Sequence, residues 1–185
     1  GDLFSNKLLP ALYNLLSKDK LAKFNAVAIG RRYDDQSEYK VHLKKRLKDE
    51  FGKDYSDEVG DKLIDSFYYV KADFDDLSKF EKVCNFPLSK DYIFYLSTLP
   101  KFYHDVVGII KNFFFKNCKP KTKRIVIEKP FGSDEETSEK LEKAITDYFS
   151  DEEIFRVDHY LGKEAVQNIL LLRSQNYLLE TLLSK

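Results

Sequence analysis

Five short apolar runs, "NAVAIG" (25–30), "FYYVKA" (67–72), "YIFYLS" (92–97), "RIVIE" (124–128) and "IFRV" (154–157), are separated by amphipathic stretches along a chain of 185 residues. Runs of four to six residues rich in aromatic and β-branched side chains read as buried strands. Parallel strands need helical crossovers, so strands that alternate with helices predict an α/β fold with a parallel sheet covered on both faces. The intervening stretches carry helical spacing. In "KLLPALYNLL", Leu8, Leu12, Leu15 and Leu16 form one stripe, with Pro10 tolerable only in the first turn. In "SEYKVHLKKRLKDEF", Ser37 is the expected cap and Val41, Leu43, Leu47 and Phe51 the apolar positions. Further helices are expected through Ile64, near Leu77 to Val83, over "HDVVGIIKNFFF" and over the acidic "SDEETSEKLEKAITDYF".

Composition narrows the functions available. Thirty-one Lys and Arg balance 31 Asp and Glu, so there is no bulk attraction to nucleic acid and any anion site must be local. No aromatic platform sits in a basic stripe, which makes RNA binding the weakest reading. Cys84 and Cys118 lack CxxC or CxxH spacing, so neither a disulfide framework nor a zinc site is indicated, and a reducing, cytoplasmic setting fits. No apolar stretch approaches the roughly 20 residues that cross a bilayer, and "GDLFSN" has no signal-peptide character. A chain that opens on Gly1 and closes on "YLLETLLSK" reads as a fragment.

In open parallel sheets ligands bind beyond the carboxyl ends of the strands. The residues there are Gly30-Arg31-Arg32, Ser97 to Pro100, Glu128-Lys129-Pro130-Phe131-Gly132 and Asp158-His159. Each also has a plain structural reading. "IEKPFG" is either a strand end with a turn, Gly132 supplying the freedom the turn needs, or a stiffened support that aims the Lys129 ammonium into the crevice. "GRR" is either a solvated basic turn or a holder of an adenosine 2'-phosphate. If a helix starts near Asp158, His159 and Lys163 share a face and converge on one phosphate, with the Tyr160 hydroxyl beside them. His42 and His104 fall in helices and read as structural or solvent-facing.

"GDL" at 1–3 with Lys7, "YLSTLP" at 95–100, "EKPFG" at 128–132, "RVDHYLGKE" at 156–164 and "VQN" at 166–168 together resemble the glucose-6-phosphate dehydrogenase family across essentially the whole chain. The resemblance implies a Rossmann-like doubly wound sheet lacking its first strand, over 1–157, and the beginning of a second α+β substrate and dimerisation domain over 158–185. It implies oxidation of glucose 6-phosphate at C1 to the 6-phospholactone, the first oxidative step of the pentose phosphate pathway. The hydride passes to NADP, or in some members NAD, without a metal, in a homodimer or homotetramer. By position, Gly1 and Asp2 match the end of the phosphate-binding turn, Lys7 a lysine near the coenzyme and substrate, and Leu99 and Pro100 the coenzyme-side loop. Lys129 matches the lysine that contacts both sugar and coenzyme. His159, Tyr160 and Lys163 match the substrate-phosphate binders, and Asp158 the carboxylate that orients the catalytic His.

The chemistry agrees. Hydride loss from C1 requires a base near neutral pKa with a carboxylate to hold its imidazole, and a phosphate dianion on a neutral protein requires a focused cluster of Lys and His. Two departures bear on function. The family's catalytic His lies downstream of Lys185, so this fragment alone is expected to be inactive. The family's Arg stands about three positions past the "VG" turn, whereas Arg31 and Arg32 follow Gly30 at once and Tyr33, Asp34 and Asp35 come next, which leaves the choice between NADP and NAD open. Two alternatives remain: a non-catalytic nucleotide-binding module of the same fold, and a related sugar-phosphate oxidoreductase.

Overall fold

The computed structural model describes residues 1–73, 77–132, 135–158 and 168. The first helix runs through a π-helical turn, Phe4–Leu8, into α1 (Leu9–Ser17), and β1 (Ala26–Gly30) follows. Then come α2 (Gln36–Phe51), α3 (Asp57–Asp65), β2 (Phe67–Lys71), a 3-10 segment (Leu77–Asn85) and β3 (Asp91–Tyr95). α4 (Tyr103–Ile109) continues through a π turn into α5 (Phe115–Asn117), and β4 (Thr122–Glu128), α6 (Glu135–Thr146) and β5 (Ile154–Val157) complete the order.

All pairings are parallel, as the alternation predicts, and the fold is α/β. They form two sheets, β1-β2 and β3-β4-β5. The period-two alternation of the first sheet divides the core. Phe67 and Tyr69 face Leu9, Tyr13, Leu43, Leu47 and Leu63 of α1, α2 and α3. Val70, with Val27 and Ile29, faces a second cluster built on Ile125, Ile127, Val107, Phe113, Leu141 and Ile145. Val27 and Ile29 thereby join the two sheets through a shared apolar layer.

Several local expectations shift. Leu9 and Tyr13, not Leu8 and Leu15, centre the buried stripe of α1, and Leu15 is 41% exposed. Pro10 is accommodated at the start of α1 even though helix precedes it, because a π turn carries the chain across that point. The cap of α2 is Asp35, whose carboxylate accepts from the Glu38 N–H at 2.9 Å, and Ser37 lies inside the helix. Val41 is 67% exposed while Tyr39 takes its place in the core.

The cysteines also correct the sequence reading. Cys84, at the end of the 3-10 segment, and Cys118, after α5, form a disulfide with their Cα atoms 5.3 Å apart. The two lie 34 residues apart, and the packing of the 3-10 segment on the π turn after α4 helps to bring them within bonding range. Among the described residues, no helix is long and apolar enough to cross a membrane.

Candidate functional site

Within each sheet the strands are parallel, so its carboxyl ends emerge together, and the start of the first helix touches the ends of both sheets. The chain enters at Gly1, and the first helix begins at residue 2 with its unpaired N–H groups at that end. A Cβ on Gly1 would lie 3.2 Å from the Ser97 carbonyl oxygen, just past β3, so glycine permits a close approach of the helix start to that loop. On the other side, the Asp2 carboxylate lies 3.7 Å from the Arg32 guanidinium, just past β1. Gly1 and Asp2 thus sit between the ends of β1 and β3, one edge strand from each sheet.

The arginines diverge. Arg31 donates to Asp73 beyond β2 at 3.1 Å, whereas Arg32 turns toward the helix start. Asp34 and Asp35 do not crowd Arg32: Asp35 caps α2, and Asp34 pairs with Lys71, whose ammonium holds its carboxyl below the ordinary range. Leu99 is 60% exposed at the same end, an apolar surface suited to a flat ring. Pro100 opens a 3-10 turn after it. Lys7 is exposed in the π turn of the first helix, and among the described residues no ion pair joins it to the others.

At the ends of β4 and β5, the Lys129 ammonium lies 3.1 Å from the Asp158 carboxylate, and the Lys129 N–H donates to the Val157 carbonyl at 3.2 Å. The Lys129–Pro130 peptide is cis. Gly132 has a different reason from the one read in sequence. A Cβ there would come 2.6 Å from the Ser138 N, so the residue allows the loop to press on the first turn of α6, and its φ is not positive. His159, Tyr160 and Lys163 lie outside the described residues, as does nearly all of 158–185.

Three residues without an assigned role lie together at the end of β4. Glu128 is 5% exposed, and its carboxylate accepts from the Tyr95 hydroxyl. The Tyr103 hydroxyl donates to the Glu128 carbonyl at 3.3 Å. Burial, then the bond to Glu128, raises the Tyr95 pKa, and burial raises that of Tyr103, so both phenols stay protonated donors. The available signal was an acid closing an otherwise apolar strand, "RIVIE".

The family model described as "Glucose-6-phosphate dehydrogenase, NAD binding domain" matches residues 1–168. A glucose-6-phosphate 1-dehydrogenase of Borreliella burgdorferi is 33% identical over 183 residues, 98% of this chain and 37% of that protein. One from Zymomonas mobilis is 33% identical over 186 residues, 98% of this chain and 38% of its own. A solved glucose-6-phosphate dehydrogenase in complex with glucose 6-phosphate superposes with a TM-score of 0.77 at 28% identity, covering 98% of this chain and 39% of that one. The chain therefore spans under two fifths of the length of these relatives.

Proposed function

Because this chain belongs to the glucose-6-phosphate dehydrogenase family, we propose that its protein oxidises D-glucose 6-phosphate at C1 to 6-phospho-D-glucono-1,5-lactone, with NADP as the hydride acceptor. Residues 1–157 are the Rossmann-like coenzyme domain and 158–185 begin the substrate domain, in a protein that assembles as a homodimer or homotetramer.

The residues present fit a dinucleotide. Gly1 leaves room beside Ser97, the N–H groups opening the first helix face the crevice end, and Arg32 stands next to them. Such a set binds a pyrophosphate and, through Arg32, a 2'-phosphate. Leu99 and Pro100 give the coenzyme an apolar edge. When bound, the nicotinamide accepts a hydride. The chain's own part is to bind and orient. Lys129 contacts both sugar and coenzyme, and His159, Tyr160 and Lys163 hold the sugar's phosphate by charge-assisted hydrogen bonds. Asp158 holds the imidazole of the base that removes the C1 hydroxyl proton, so that loss of hydride leaves a neutral lactone.

The observation that carries this reading is the ion pair between Lys129 and Asp158 at the strand ends, on the same side as Gly1, Asp2 and Arg32. The test is formation of NADPH by the complete protein. Turnover with glucose 6-phosphate and little with glucose supports the proposal; equal rates with both sugars, or none with the phosphate ester, refute it.

A further inference from the structure

Glu128 is the charged side chain most deeply buried among the described residues. Strand alternation places it opposite Ile127, which is 1% exposed in the apolar core. A carboxylate at such depth weakens a fold unless it is fully partnered, and an apolar residue of similar volume usually serves stability as well or better. A valine would continue "RIVI" without that cost. Stability alone therefore leaves the choice of glutamate unexplained, and its neighbour in the chain is Lys129.

The strand end is held from three directions. The Tyr95 hydroxyl of β3 donates to the Glu128 carboxylate. Tyr103 of α4 donates to its carbonyl at 3.3 Å, and the next N–H, that of Lys129, donates to Val157 of β5 at 3.2 Å. We infer that Glu128 is a positioning residue: with Tyr95 and Tyr103 it fixes the end of β4 from which Lys129 reaches, and so sets where that ammonium meets sugar and coenzyme. This rests on the dehydrogenase reading above. Glu128 itself touches neither reactant. With the Tyr95 donor removed, the Glu128 carboxylate loses a hydrogen bond that holds it, and the chain just before Lys129 is held less firmly.

Tyr95→Phe keeps the ring and removes the donor; Glu128→Gln keeps the shape and an acceptor and removes the charge. In the complete protein, each is expected to lower kcat/KM for glucose 6-phosphate by about 10-fold or more, the scale on which small misplacements of a binding group act. Neither should lower it further in a Lys129→Ala background, although any loss of thermal stability will persist there. Unchanged kcat/KM, or a full additional loss on top of Lys129→Ala, overturns the inference and leaves Glu128 a packing residue.

A second readout does not depend on turnover. In reductively methylated protein, the Lys129 dimethylamino resonance, assigned by its loss in Lys129→Arg, should move in Tyr95→Phe and Glu128→Gln while other lysines stay in place. If the wild type fails to oxidise glucose 6-phosphate, the dehydrogenase reading falls and this resonance alone decides the positioning role. A shift sustains it and an unmoved signal ends it. Should Glu128→Gln not fold, Tyr95→Phe decides both measurements.

Discussion

The Lys129 ammonium stands 3.1 Å from the Asp158 carboxylate, joining the carboxyl ends of β4 and β5 at the mouth of the crevice. The lysine side chain is 59% exposed, so solvent screens the pair and its contribution to folding is on the order of 1 kcal/mol. Asp158→Asn is accordingly expected to shift the unfolding midpoint very little. In the proposed reaction it should lower kcat by about 10-fold or more, since an amide no longer holds the base in its working tautomer. Denaturant titration set beside steady-state kinetics checks both halves.

Arg32 and Arg31 are expected to differ sharply. Arg31 is engaged by Asp73, while Arg32 lies beside Asp2 and the helix start. Loss of a charge-assisted hydrogen bond to a phosphate predicts that Arg32→Ala raises KM for NADP by about 10-fold or more relative to NAD. Arg31→Ala should leave that ratio nearly unchanged. Specificity constants for both coenzymes provide the comparison.

The disulfide gives a stability prediction independent of function. Closing a loop over a separation of 34 residues restricts the unfolded chain, and its loss should cost about 3–4 kcal/mol. Replacing Cys84 and Cys118 together by Ala is expected to lower the thermal midpoint, and adding a dithiol reductant to that variant should have no further effect. An unchanged midpoint would show that the link carries no stability.

His42 supplies a pH dependence. Burial, then the charges of Arg32, Arg46 and Lys45, push its pKa below the ordinary value. The folded state thus prefers the neutral ring, and the unfolded chain takes up the proton first as pH falls. The stability this contributes is complete above the ordinary histidine pKa of about 6.5 and is lost as pH falls through the folded value. The difference in unfolding free energy between wild type and His42→Gln should therefore shrink from pH 7 toward pH 5.

Strand and helix placement were legible because each element carries its own local pattern, a short apolar run for β4 and a 3.6-residue period for α2, whereas the division into two sheets was not. The errors fall where tertiary packing outranks local pattern. Val41 has the right spacing for the core, but Tyr39 fills that volume with a ring stacked on Tyr69. Ser37 is a good cap by type, yet Asp35 stands where the chain turns into the helix. The disulfide had no local signature, because its half-cystines meet through long-range packing. That Arg32, Lys129 and Asp158 stand just past strands was legible from the apolar runs that precede them. Glu128 was passed over because an acid at a strand end looks like a solvated terminus until Tyr95 and Tyr103 are seen to enclose it.

The central claim is that these strand ends form a glucose 6-phosphate and NADP crevice with Lys129 at its focus. It is tested most directly by kcat/KM for glucose 6-phosphate in the complete wild-type protein and in Lys129→Ala. The account predicts a fall of about 100-fold with folding stability nearly unchanged, the size expected when a group that orients both reactants is removed. A Lys129→Ala protein that turns over glucose 6-phosphate as fast as the wild type would contradict it.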